Sequence, residues 1–347
     1  MEISITNFKS IKKMQMKLGR VTVLLGPPAA GKSNVLDAIA LATYFDRYAF
    51  YDDVEPLSKL VRTDEIRGLS THYDTAKAVE VSIDSGGWRR TLRIRFQKDP
   101  RLELNGADVP VETSSNYMFL HDGLKYRADV GRISLDENVV ARLYSFDRFK
   151  HDAVGSMVGG TAAKVPQDLL REDAKNFGVV AANQPEVFRD VNAELKELSQ
   201  VEIGLLDDGR VVVFDRYIAE RPPDSLLRTL YYLTSLSSVA RFAKLHSLED
   251  RMIVLLEEPE TAPRLLHLLV EYIAKLGEVG YVVITTHNPF LVSLLRDKLN
   301  VALYYVYRGC TGLTEIAELD EAEMAEELVT AEDVLFMRPR EVLRFKR

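Results

Sequence analysis

The chain contains a single cysteine, Cys310, in 347 residues. That excludes an internal disulfide and every zinc site built from several thiolates, and it agrees with a reducing cytoplasm as the expected compartment. Long hydrophobic runs are missing too. No apolar stretch approaches the roughly 18 residues that a spanning helix needs, and no N-terminal signal pattern is present, so no membrane role is expected. Nor is there an excess of positive charge: 45 Lys and Arg face 52 Asp and Glu, a net charge of −7. No global field steers such a chain onto nucleic acid, and any DNA contact must come from a local patch. Internal repeats and heptads long enough for a coiled coil are also absent. What is present is a core. Hydrophobic residues make up 46% of the chain, enough for one large domain or two modest ones.

The most informative stretch is Gly26-Pro27-Pro28-Ala29-Ala30-Gly31-Lys32-Ser33, directly after the apolar run Val21 to Leu25. Two glycines framing four residues before Lys-Ser form a phosphate-binding loop. Backbone N–H groups turn inward around a polyphosphate, Lys32 neutralises its β and γ oxygens, and the Ser33 hydroxyl can ligate Mg²⁺. From Asn34 to Tyr44, Val35, Leu36, Ile39, Ala40 and Thr43 recur at helical spacing, so a helix N-terminus is predicted to face the same anion.

Elsewhere the pattern alternates between strand and helix periods. Residues 1–6 and 14–18 read as strands, and 46–75 as a solvated insertion with one short helix. From Val79 the period is two. Val79, Val81 and Ile83, then Leu92, Ile94 and Phe96 after Gly86-Gly87, predict an antiparallel hairpin whose other face carries Glu80, Asp84, Arg93 and Arg95. Alternating signs favour a solvated, self-paired face over a nucleic-acid stripe. The antiparallel region is expected to extend through Asn105-Gly106 to about residue 145. A mobile loop is predicted over 155–163, helices from 167 to 198, two strands at 201–206 and 211–215, and a long helix capped by Asp224 or Ser225. Residues 251–256, apolar throughout after Arg251, are predicted to form a buried parallel strand ending in Glu257-Glu258-Pro259-Glu260. A second strand, Tyr281 to Thr285, runs into Thr286-His287-Asn288-Pro289. Cys310 lies in a predicted hairpin turn, an acidic helix follows, and residues 336–347 form a basic tail.

Phosphate loop, acidic strand end and downstream histidine occur in the order that parallel α/β sheets bring to one crevice. In this order, together with Ile5-Thr6-Asn7-Phe8-Lys9-Ser10, Leu104-Asn105-Gly106, Asp173 to Phe177 and Leu255 to Thr261, the chain resembles the ABC-type P-loop ATPases of the SMC and RecF class, in a stand-alone form without the coiled coil. The resemblance spans residues 1 to about 308. It implies an α/β P-loop NTPase: an ABC-ATPase head with a mixed parallel core sheet, an antiparallel β subdomain and a helical lobe. As a single domain, residues 1–150 and 248–347 would form the nucleotide-binding lobe and 151–247 the helical lobe. By the same resemblance, ATP and Mg²⁺ are the cofactors. Asn7, Lys9, Ser10, Gly26, Pro27, Ala29, Ala30, Gly31, Lys32, Ser33 and Asn34 would surround the nucleotide. Ser33 and Glu257 would hold the metal, Glu258 would polarise the attacking water, and His287 would contact the γ-phosphate. Ser225 would meet the nucleotide of a partner copy, since the class closes as nucleotide-dependent dimers.

Three departures accompany this. Glu257 replaces the usual Asp at the metal position, Asp224 to Arg228 lacks the glycine of the S-x-G signature, and only Asp147 stands where a lid glutamine is expected. Adjacent glutamates can also be a solvated strand end, and a lone histidine is often structural. Two functions stay open. One is an ATP hydrolase that dimerises on ATP and works in DNA repair or maintenance, or in mobile-element defence. The other is a hydrolysis-poor ATP-sensing switch that controls a separate protein effector. A kinase is the third reading, disfavoured because no second-substrate motif or arginine-clustered lid is evident.

Overall fold

A computed structural model of the chain describes residues 1–45, 57–63, 65–115, 118–128, 140–159, 169–198, 201–215, 218–261 and 263–347. They divide into two compact units, one of Met1–Leu143 with Ala302–Arg347 and the other of Tyr144–Val301. Residues 248–301 group with the second unit, and the resemblance would have joined them to residues 1–150.

In the first unit, β1 (Glu2–Phe8) pairs antiparallel with β2 (Ile11–Lys17), and β3 (Val21–Leu25) is buried along its whole length. The loop follows, then α1 (Lys32–Ala42), with Val35, Leu36, Ile39 and Ala40 buried as their spacing predicts. A short α2 (Leu57–Val61) comes next, and residues 46–56 of the expected insertion lie outside the described residues. The hairpin of β4 (Val79–Asp84) and β5 (Arg89–Arg95) continues into β6 (Arg101–Leu104) and β7 (Ala107–Val109). Together with the N-terminal strands they form a sheet of order β2-β1-β4-β5-β6-β7. Asn105 and Gly106 both have left-handed φ, 51° and 82°, as a two-residue hairpin turn requires.

The outer face of this sheet is self-neutralised. Arg93 stands opposite Glu80 and donates to its carboxylate from Nε (2.8 Å) and Nη2 (2.5 Å), and Arg95 pairs with Glu103 at 3.0 Å. The sheet stops earlier than residue 145, however. β8 (Val111–Thr113), β9 (Phe119–His121) and β10 (Leu124–Ala128) form a separate three-stranded sheet. Pro110, between β7 and β8, has no N–H to offer a ladder, which ends pairing there. β11 (Val140–Tyr144), fully buried, closes this part of the chain.

The second unit opens with α3 (Phe146–Gly159), which overturns part of the predicted loop. Phe146, Phe149, Ala153, Ser156 and Met157 are buried at helical spacing, and this stripe outweighs the poor propensity of Gly155 and Gly159. Residues 160–163 of that loop lie outside the described residues. Helix resumes ten residues later than predicted, with α4 (Phe177–Ala182) and α5 (Pro185–Leu198). Strands β12 (Glu202–Leu205), β13 (Val211–Asp215) and an unpredicted β14 (Ile218–Glu220) form an antiparallel sheet. The long α6 (Asp224–Leu245) starts after Pro223 with no side-chain cap, contrary to expectation, because the Asp224 carboxylate is drawn to Lys150 Nζ at 2.7 Å. β15 (Met252–Glu257), α7 (Leu266–Gly277) and β16 (Tyr281–Thr285) make a βαβ crossover with parallel strands, and α8 (Pro289–Lys298) follows.

Back in the first unit, β17 (Val301–Arg308) and β18 (Thr314–Glu318) form the predicted hairpin, with Cys310 exposed in its turn. The acidic α9 (Glu321–Glu326) is capped by Asp320, and α10 (Pro339–Val342) lies in the basic tail. That tail is packed rather than free. Val342 and Phe345 are fully buried, Asp320 N donates to Phe345 O (2.8 Å), and Arg347 N donates to Glu318 O (3.0 Å). Arg344 and Arg347 sit by Glu327 and Glu318, at 3.7 and 3.5 Å. Among the described residues no helix is long and apolar enough to cross a membrane. Phe345→Ala is expected to cost about 3–5 kcal/mol in urea denaturation, the range for a fully buried phenyl ring. A loss below about 1 kcal/mol would show instead that the tail is a dispensable arm.

Candidate nucleotide site

The phosphate loop belongs to the first unit and the acidic strand end to the second. Each is described within its own unit.

In the first, Gly26 and Gly31 have φ of +140° and +108°, and both lie against neighbouring chain. A Cβ would sit 2.0 Å from Val306 O at Gly26, and 2.2 Å from Thr314 Oγ1 at Gly31, so only glycine fits either position. Between them Ala29 also has left-handed φ, 59°. Lys32 folds back over the loop, its Nζ donating to Gly26 O (2.8 Å) and Pro27 O (3.1 Å). Its ammonium is thus held where an incoming polyphosphate can take it over from two neutral carbonyls. Ser33 is the second residue of α1, beside the helix N–H groups that have no intrahelical acceptor.

A relay of hydroxyls holds the loop from outside. Asn34 Nδ2 donates to Ser10 Oγ (2.7 Å), Ser10 and Thr314 hydroxyls meet at 2.6 Å, and Thr314 Oγ1 donates to Ala30 O (2.8 Å). Since the Thr314 proton goes to Ala30, the Ser10 proton goes to Thr314. Arg308 adds a bond from Nε to Ala29 O at 3.0 Å. Of the Asn7-Phe8-Lys9-Ser10 segment, only Ser10 is shown bonded to this relay. Lys9 Nζ pairs with the buried Asp37 of α1 at 2.7 Å and also donates to the Val61 carbonyl. Asn7 Nδ2 holds the backbone at Asp74 (3.2 Å) and Lys77 (2.9 Å).

In the second unit, Glu257 ends β15 in register with Thr285 of β16. Its carboxylate Oε2 accepts from Arg148 Nε (3.1 Å) and Nη2 (2.7 Å), and its carbonyl accepts from the Tyr232 hydroxyl (2.9 Å). Glu258 takes left-handed φ, 45°, and its N–H donates to Thr285 O at 2.9 Å. The turn leaves its side chain 46% exposed, with His287 Nε2 3.5 Å from Oε1. Glu260 accepts from Thr286 Oγ1 (2.8 Å). Burial pushes its carboxyl above the ordinary range, against the pull of that bond. Asn288 caps α8 through Oδ1, and Ser225 is exposed at the start of α6.

Asp147, singled out as the lid position, pairs with Arg228 of α6, and it is the next residue, Arg148, that reaches the acid. Sequence reasoning missed Arg148, Thr314 and Arg308. No spacing marks them, since each acts on a residue distant in sequence. The chemistry fits Mg²⁺ in kind. Ser33 and Glu257 offer hard oxygens, and Glu257 already accepts a cationic group.

An SMC head solved with the C-winged helix domain of ScpA is similar to this structure, with a TM-score of 0.56 at 15% identity over 93% of this chain and 98% of that one. The chain has the fold of an SMC-type ABC ATPase head. Weaker likenesses are to the recombination mediator protein RecF of the RecFOR pathway (TM-score 0.49, 13% identity, 92% and 97% covered) and to an SMC head domain from Thermotoga maritima (0.45, 14%, 92% and 98%). No protein-family profile and no curated protein matches the sequence.

In this fold, Thr314→Val removes the donor to Ala30 O and the acceptor of Ser10. It is expected to cost about 1–3 kcal/mol in urea denaturation, whereas Thr314→Ser should cost less than about 1 kcal/mol. Equal losses in the two variants would show that the hydroxyl relay does not hold the loop.

Proposed function

We propose that the protein is an ATP-binding and ATP-hydrolysing ATPase of the SMC/RecF type, two copies of which close over nucleotide. The observation that carries this reading is the loop itself. Two glycines are pinned by close approach, a lysine is poised over the loop carbonyls, and a helix N-terminus follows at Lys32-Ser33. In phosphoryl transfer, positioning and charge neutralisation supply most of the catalysis. Lys32 would leave its carbonyls for the β and γ oxygens, while Ser33 and Glu257 would hold Mg²⁺, which when bound neutralises charge developing between those phosphates. Glu258, exposed beside His287, would orient and polarise the attacking water, and His287 would meet the γ-phosphate. Ser225 would be the contact offered to a partner copy's nucleotide.

The work coupled to closure is placed in DNA repair or maintenance, or in mobile-element defence, in the cytoplasm. Both DNA and a protein effector stay as candidate contacts, although Arg93 and Arg95 of the hairpin are paired with Glu80 and Glu103, and Arg344 and Arg347 of the tail sit by Glu327 and Glu318. One observation favours the second reading, an ATP-sensing switch with poor hydrolysis that controls a separate effector: Arg148 already holds the acid at the metal position.

Light-scattering mass and ATP turnover of wild type and Glu258→Gln, with Mg²⁺ and with or without ATP, separate the readings. The hydrolase reading expects turnover to fall by about 10²-fold or more in the variant, and its mass to double on ATP. An ATP-binding protein whose mass never responds, and whose slow turnover is unchanged by the substitution, would be the switch instead.

A further inference from the structure

In the second unit β12 is an edge strand, pairing with β13 and with no other strand among the described residues. An edge presents N–H and C=O groups that a folded chain must cover or pair. The register shows which residues carry them. Leu206 N donates to Arg210 O at 2.9 Å across the turn, so Gly204 and Leu206 face β13, and Ile203 and Leu205 face the other way. At Ile203 the edge is covered. Asn192 of α5 donates from Nδ2 to Ile203 O (2.9 Å) and accepts from Ile203 N on Oδ1 (2.7 Å). Its side-chain amide does there what the peptide unit of a neighbouring strand would do.

Two residues further along β12 the arrangement changes. Phe188 precedes Asn192 by one turn of α5, and one helical turn advances about as far as two strand residues, roughly 6 Å. Phe188 and Leu205 accordingly line one cavity of about 720 Å³. A phenyl ring offers no hydrogen bond, and Leu205 N and O make none on this side. Val179, Ala182 and Leu206 continue the apolar wall. The groove is held in shape from below. A Cβ on Gly178 would lie 2.6 Å from Gly209 Cα, so α4 rests directly on the β12–β13 turn, and Asn183 O at the α4–α5 corner accepts from Arg241 Nη1 of α6 (2.7 Å). Its mouth is acidic: Asp207 and Asp208 are both exposed there, and of the two Arg210 pairs with Asp208, at 2.7 Å.

From this edge and this groove we infer that the second unit docks an extended segment of a partner protein by strand addition beside Leu205. The segment's backbone pairs with Leu205 N and O, continuing the line that the Asn192 amide begins. An apolar side chain lies against Phe188 and Val179, and a basic one meets Asp207. Main-chain pairing then supplies affinity, while the apolar wall and the acidic mouth select the sequence. The site lies wholly within one unit and does not depend on nucleotide binding or hydrolysis.

The test is selection of phage-displayed decapeptides on the full chain, followed by fluorescence anisotropy of the selected peptides on wild type, Leu205→Pro and Ala182→Trp. Leu205→Pro removes the outward N–H and spares the ladder to β13, a substitution that edge strands accept. Ala182→Trp fills the groove. The expected peptides carry a basic residue beside β-branched or aromatic ones. They bind Leu205→Pro about tenfold more weakly, the effect of one lost hydrogen bond, and lose measurable binding to Ala182→Trp. Methylating alternate backbone nitrogens of the peptide should weaken its binding to wild type to a similar extent. Acidic peptides, or peptides bound equally by wild type and both variants, overturn the proposal, as does a selection that enriches no sequence. If Leu205→Pro does not fold, Ala182→Trp and the methylated peptides decide. A mass that rises with protein concentration in wild type but not in Ala182→Trp would assign the groove to a second copy of this chain and overturn the partner.

Discussion

A short loop of glycine, proline and alanine has few groups of its own to hold its shape: Ala30 N donates to Pro27 O at 3.3 Å, and further restraint must be imposed from elsewhere. In this protein the imposition comes from both ends of the first unit. Ser10 follows the first strand, Thr314 begins β18, and the two hydroxyls meet although 304 residues separate them. Their relay ends on Ala30 O, while Val306 presses on Gly26 and Thr314 on Gly31 with no room for a Cβ. Removing either glycine or the relay would free the loop to collapse onto its own donors. The geometry of the loop is therefore a product of long-range packing, even though its residues lie within one octapeptide.

The second unit solves a different problem, that of keeping several carboxylates close together at a strand end. Glu257 is paired with Arg148, Glu258 is turned outward by left-handed backbone, and Glu260 takes hydroxyl and N–H donors while its pKa rises. Three acidic residues in four positions thus meet three environments: ion-paired, solvated and hydrogen-bonded. Such separation suits different tasks, since a metal-holding group must stay charged and a water-polarising group must be reachable.

What could be read in the sequence was whatever depends on near neighbours. The phosphate loop was legible because spacing alone fixes it, and so were the apolar strand before Glu257 and the hairpin with Asn105-Gly106. The chain's resemblance to SMC and RecF heads rested on the order of those short segments, and the fold agrees with it. Elements governed by competing signals were harder. Gly155 and Gly159 suggested a loop, yet the buried stripe from Phe146 to Met157 makes a helix. Alternation past residue 109 suggested one sheet, yet Pro110 divides it. The tail looked like a basic arm because its charge is visible in sequence, whereas the burial of Val342 and Phe345 is not. Arg148 illustrates the limit most sharply. Its neighbour Asp147 was weighed as a lid residue, but which of two adjacent side chains reaches Glu257 depends on how Tyr232 orients α3.

The central claim is that Gly26 to Ser33 binds ATP through Lys32. Thermal denaturation of wild type and Lys32→Ala, with and without millimolar Mg²⁺·ATP, tests it most directly, because a ligand that binds only the folded state stabilises it by an amount that grows with the logarithm of its concentration over Kd. The account predicts an ATP-dependent rise of several degrees in wild type, absent in Lys32→Ala and absent with adenosine, which lacks the phosphates. An equal rise in the lysine variant, or none in wild type, would contradict it.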